Sequence, residues 1–212
     1  MIRVRSIMMT FCVGALAFGA PAHAAIINLG ANLTHAQETV QGALVTNPGG
    51  LPRPLSFGTA TFLLDTSALT MKMVATIFNI DVTGLQTPND LNDNLLNAHI
   101  HGGAGPGTNA SVRWGFFGSP DNDINPDDLI VNPFTLDVGG TFMSKWDGPE
   151  GNGTTLLLQL PNILNGLSYI NFHTTQFGGG EIRGQLFVVP EPASLSLLAL
   201  GLAGLAGLRR RS

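Results

Sequence analysis

Two stretches, FGTATFLL at 57–64 and MKMVATIFNI at 71–80, decide the fold class. Each is a short apolar run carrying β-branched and aromatic residues, and turn formers around Asp65 to Leu69 separate them. They read as paired strands joined by a turn. The same texture continues outward in both directions. Further strands are expected near 26–33, 95–101, 112–117, 141–146, 155–160, 168–173 and 182–188. That makes about nine strands at the spacing of an antiparallel β-sandwich. Residues 161–165, closed by Gly166, suit one short helical turn. Residues 47–54 (NPGGLPRP) form a loop, and long amphipathic helices and repeats are absent. The fold class is all-β.

The two ends are different in kind. Residues 1–24 place Arg3 and Arg5 before an apolar stretch that finishes Ala22-His23-Ala24. A basic start, an apolar core too short to span a bilayer and small residues at the end make a signal peptide cut after Ala24. At the other end, Pro190-Glu191-Pro192 precedes about 16 uncharged residues and then Arg209, Arg210 and Arg211. As a helix that apolar run covers roughly 24 Å, slightly short of a bilayer core, and the arginines can snorkel to the headgroups. Arginines flanking a membrane helix stay inside, so the body is exported and the last residues remain behind as a transient inner-membrane anchor. The prolines keep the motif extended, in a form that a processing enzyme's cleft can bind. This ordered tail resembles the PEP-CTERM sorting signal of Gram-negative bacteria. The resemblance implies signal peptidase and exosortase as partners during export and a final place at the cell surface or outside the cell. It also implies envelope or exopolysaccharide components as neighbours.

The body between the ends, 25–189, is one domain's length. It holds thirteen acidic against five basic side chains, a net charge near −8, so it repels nucleic-acid phosphates. The only cysteine, Cys12, falls in the signal peptide, which leaves the body without a disulfide or thiol chemistry.

Three histidines stand out in the body: His99, His101 and His173. In Asn97-Ala98-His99-Ile100-His101 a strand puts both imidazoles on one face, with Cα atoms roughly 6.5 Å apart at a rise of about 3.3 Å per residue. Tyr169, Asn171 and His173 likewise share a face, so a neighbouring strand can add a third nitrogen. Three histidines suit zinc or copper. Equally, these imidazoles can be hydrogen-bonded residues ordering the turn at Gly102-Gly103. His35 and Glu181 are weaker candidates for a fourth ligand. Glu181 and Arg183, two apart, suit an ion pair over the sheet, and Gly178-Gly179-Gly180 before them permits a positive φ in a tight hairpin. The acidic run 121–128 (DNDINPDD) is not an EF-hand, because Pro126 replaces the needed glycine and Asn132 the closing glutamate. Irregular calcium binding there is the lesser expectation beside a solvated acidic turn. No Gly-x-Ser-x-Gly nucleophile motif occurs.

Four motifs recur in order along the body: LTHAQE (33–38), AHIHG (98–102), YINFHT (169–174) and GGEIRGQL (179–186). Together they resemble the CHRD domain, first described in chordin. The resemblance implies an immunoglobulin-like antiparallel β-sandwich and a family without a settled activity. The expected function is therefore that of a non-enzymatic binding or matrix component of the cell surface. The alternative is a copper- or zinc-binding metalloprotein, redox-active or not, built on the three histidines.

Overall fold

The computed structural model describes residues 26–39, 43–190 and 200. The expected signal peptide, Glu191, Pro192 and the arginine end lie outside the described residues, as does the tail's apolar run apart from Leu200. Among the described residues, no helix is long and apolar enough to cross a membrane.

Ten strands are formed: β1 (Ile26–Thr34), β2 (Phe57–Asp65), β3 (Thr70–Phe78), β4 (Leu95–Gly102), β5 (Val112–Phe117), β6 (Ile130–Pro133), β7 (Gly139–Asp147), β8 (Ser168–Thr174), β9 (Ile182–Gln185) and β10 (Phe187–Val188). All ladders between them are antiparallel. They join into one sheet in the order β5-β4-β8-β9-β1-β2-β3-β7-β6, with β10 also on β1. The paired stretches that open the sequence reading are β2 and β3, in register from Phe57 opposite Phe78 to Asp65 opposite Thr70. The turn between them is held by the Asp65 carboxylate, which accepts from the backbone N–H groups of Ser67 and Ala68.

Strand β2 alternates buried and exposed along its whole length, and β3 does nearly the same. Their inward side chains, Ala60, Phe62 and Leu64 on β2 and Met71, Met73, Ala75 and Ile77 on β3, form one wall of the core. Ile100 on β4, Trp114 and Phe116 on β5 and Ile170 and Phe172 on β8 form the other. The walls meet because the sheet curls. Trp114 stacks on Trp146 of β7 at 5.5 Å between ring centroids, and Phe142 of β7 packs edge-on against Phe172 at 5.4 Å. The two expected layers are thus the two halves of a single curled sheet.

Two local expectations change. Residues 155–160 are not a strand. Thr155 accepts the N–H of Leu158 as an N-cap, and helix α1 (Leu156–Leu164) follows. Its buried residues Leu156, Gln159 and Ile163 recur at helical spacing, whereas the leucine run by itself reads equally well as a strand. Strand β6 is an addition. It pairs with β7 at the sheet's edge, and its exposed, short sequence carries no alternation to announce it.

Phe142 bridges the two halves at full burial. Replacing it with alanine should cost about 3–5 kcal/mol in urea denaturation. Val74→Ala, on the exposed face of the adjacent strand β3, should change stability by no more than about 0.5 kcal/mol. Similar losses in both variants would show that the halves do not share one core.

Candidate metal centre

Strand β8 is buried at every residue. Its Ile170 and Phe172 face the apolar core, so Tyr169, Asn171 and His173 lie on the opposite face. That second face is closed as well, by a polar layer. In the β4–β8 ladder His101 sits opposite Tyr169, His99 opposite Asn171 and Asn97 opposite His173. Antiparallel pairing thus makes His99 and His173 diagonal neighbours, within reach of one another. On the other side of β4 the register with β5 slips twice, once between Ala98 and His99 and again between Ile100 and His101. Such bulges bend a strand and re-aim its side chains.

One ring nitrogen from each of His99, His101 and His173 lies within 4.8 Å of the other two. The remaining nitrogens all face backbone carbonyls. His99 Nε2 is 3.0 Å from the Ser119 oxygen, His101 Nδ1 2.9 Å from that of Ala110, and His173 Nδ1 3.0 Å from that of Gly178. A carbonyl oxygen only accepts, so each of these nitrogens carries the hydrogen. A neutral imidazole has one N–H, which leaves His99 Nδ1, His101 Nε2 and His173 Nε2 as bare lone pairs. His99 Nδ1 and His173 Nε2 stand 3.2 Å apart, and His101 Nε2 is buried without any hydrogen-bond partner. Three lone pairs aimed at one another repel unless a cation or a proton lies among them.

A proton is disfavoured. Burial and the neighbouring His173 push His99 down to about 4, and burial, His173 and then Arg183 and Arg113 do the same to His101. His173 is lowered too, again by burial. At neutral pH the three rings are uncharged, the form that binds metal. The carbonyl behind each ring fixes its tautomer and orientation, as outer-shell groups do in metal sites. The donor set therefore fits zinc or copper.

The family model for the CHRD domain matches residues 29–186. The chain belongs to the CHRD family. A second model, the PEP-CTERM protein-sorting motif, matches residues 188–211, which marks an exported protein sorted to the cell surface of Gram-negative bacteria by an exosortase. No curated protein and no solved structure matches the chain.

Within the CHRD domain the other expected site residues are spent elsewhere. Glu181 does not pair with Arg183. It is fully buried and takes Arg53 at 2.6 Å, together with the hydroxyls of Ser56 and Thr174. Arg183 instead lies flat on Tyr169, 3.4 Å from the ring centroid, and donates to the carbonyls of Thr108 and Gly105. His35 bonds the Glu181 backbone oxygen through Nδ1. Neither His35 nor Glu181 joins the cluster. In the acidic loop, Asp123 accepts from the Ser144 hydroxyl and the Asp128 N–H, and Asp121 accepts from the Asp123 N–H. Among the described residues, only the three histidines gather closely enough to share an ion. Of the three glycines, Gly180 has φ +126°, and a Cβ there would fall 2.5–2.6 Å from the Glu38 carboxylate and the Asn171 amide. Only glycine fits that position.

The carbonyls of Ser119, Ala110 and Gly178 were illegible in the sequence, because a backbone acceptor has no side-chain signature. Glu38 was legible as part of a motif but had no assigned role. It is 1% exposed, and one carboxylate oxygen has no partner. Burial raises it to about 7, against the pull of Arg183 and of the Thr39 N–H.

The raised value ties stability to pH with a definite sign. A carboxyl raised from 4.5 to about 7 contributes stability that is complete below 4.5 and is lost as the pH rises through 7. Glu38→Gln removes this loss. Between pH 5 and pH 8 the variant should gain about 2 kcal/mol on the parent in chemical denaturation, since each tenfold change in proton affinity is worth about 1.4 kcal/mol. An unchanged difference at the two pH values would mean that Glu38 titrates normally.

Proposed function

We propose that this exported protein works by holding one zinc or copper ion at His99, His101 and His173 on the cell surface, as a binding component and not as an enzyme. The observation that carries the reading is the convergence of three histidine lone pairs, each tautomer fixed by a carbonyl behind the ring. The binding role is supported by the burial of the cluster: the three residues are only 4–7% exposed, which leaves little room for a substrate beside the ion. Around it we read residues 25–189 as the working unit, an immunoglobulin-like sandwich, released from a signal peptide that ends at Ala24. Residues 190–212 are read as the sorting tail, its apolar helix anchored in the inner membrane until the exosortase acts. Envelope or exopolysaccharide components are the partners that this placement suggests.

Metal analysis tests the reading. The protein recovered from its host should carry about one equivalent of zinc or copper, and a His99→Ala/His101→Ala variant should carry none. At a hundredfold excess of free metal over the dissociation constant, the parent should gain about 2.7 kcal/mol of stability. A metal-free parent that a chelator does not alter, or a double variant with undiminished metal, overturns it.

The tail has its own test. In an exosortase-bearing host, the intact mass of the surface protein should place its C-terminus near Glu191. A mass that still includes Leu208 to Ser212 would make the tail a plain anchor.

A further inference from the structure

We infer that the three-histidine centre selects copper(I) over zinc(II), an inference that rests on reading the cluster as a metal site. The argument is one of charge and coordination number. All three donors are neutral, and the groups behind them are backbone carbonyls, which lend a ligand less negative character than carboxylates do. No Asp or Glu joins the group.

The charges that do reach it are positive. His101 stacks on one face of Tyr169, with ring centroids 4.6 Å apart and planes within 3°. The Arg183 guanidinium lies 3.4 Å from the same ring's centroid, which two groups can share only from opposite faces. A buried cation is therefore held one aromatic thickness from a ligand. Arg113 adds a second, donating to the Gly102 carbonyl next to His101, and both arginines press on the His101 ring. The acids that could offset them are engaged or muted. Glu181 is bound to Arg53, and burial disfavours the charged form of Glu38.

In that field a divalent ion meets twice the repulsion of a monovalent one. Its desolvation cost, which grows as the square of the charge, is about four times larger in the Born picture. Coordination number points the same way. Zinc takes four ligands in almost all structural sites and completes a three-histidine set with water in catalytic ones. Here His35 and Glu181 do not supply the fourth, so a water would have to enter a cluster whose residues are only 4–7% exposed. Copper(I) shares zinc's filled d shell but carries half the charge, so three neutral nitrogens satisfy it without a fourth ligand. Sulfur, its softer partner, is absent from the cluster, so the site is a selective one of moderate affinity.

Competition titrations decide the matter. The processed protein, recovered from the envelope, is titrated without oxygen with copper(I) against bicinchoninate and with zinc(II) against a chromophoric chelator. We expect one equivalent of each, with copper(I) bound at least about tenfold more tightly, since repulsion of one extra unit of charge by a fixed cation inside a protein is worth upward of about 1.4 kcal/mol. X-ray absorption of the copper(I) form should show three nitrogen neighbours at about 2.0 Å, the usual metal–imidazole length. Arg113→Gln, a change at a half-buried position, should narrow the ratio, because removing one positive charge helps zinc(II) twice as much. Zinc(II) bound as tightly as copper(I), or a ratio that Arg113→Gln leaves untouched, overturns the charge-based selection and leaves the metal centre standing. Failure of both ions to bind at one equivalent overturns the centre itself.

Discussion

The whole arrangement depends on β8 being buried on both faces. A strand with one face in water can leave its polar side chains to the solvent. A strand covered twice must satisfy them from inside the protein, because an unpaired buried polar group costs about 1–3 kcal/mol. Tyr169, Asn171 and His173 are therefore surrounded by a built layer of loop carbonyls, glycines and the Arg183 guanidinium. The curl of the sheet fills the other side. Phe172 reaches Phe142 across the core, and the same backbone that fixes this contact fixes the position of His173 one residue later. Core packing and site geometry are two faces of one strand.

This also explains what the sequence could and could not tell. The β2–β3 hairpin was legible because its outer face meets water, and its alternation survives intact. The pairing of His99 with His101 on one face was legible for the same geometric reason. Convergence with His173 was a matter of register, since a shift of one residue in the β4–β8 ladder would turn His173 into the core. Alternation cannot fix such a register when both faces are buried. Helix α1 was misread because the leucines at 156–158 satisfy either periodicity, and the Thr155 cap distinguishes the two only once its bond to Leu158 is seen. The Glu181–Arg183 pair failed for another reason. Glu181 precedes β9 and turns toward Arg53, 128 residues earlier in the chain, a partner that no local rule can name.

Within the polar layer the groups are unequal. Around Glu181 every demand is met: Arg53, Ser56 and Thr174 all donate, so the charge is locked into the fold. Around the histidines the hydrogens all point outward to carbonyls and the lone pairs all point inward to one another. The first pattern is what stability alone produces. The second leaves buried acceptors unserved, which a fold selected only for stability would remove by substituting an apolar side chain.

The carbonyls that orient the rings come from three separate places: Ser119 beyond β5, Ala110 in the loop before it and Gly178 in the turn after β8. Folding brings them together before any ion arrives. The ordering entropy of three imidazoles is thus spent by the fold, and an ion entering the cluster does not have to organise its own ligands. The same preorganisation has a consequence for selectivity. A flexible site can recruit a water or a carboxylate to suit a divalent ion, whereas rings tied to three loops cannot easily rearrange. What the cluster can accept is then set by what its fixed surroundings tolerate, and those surroundings carry positive charge from Arg113 and Arg183. On the proposed metal-site reading, rigidity turns the electrostatics of the layer into a filter on the charge of the ion.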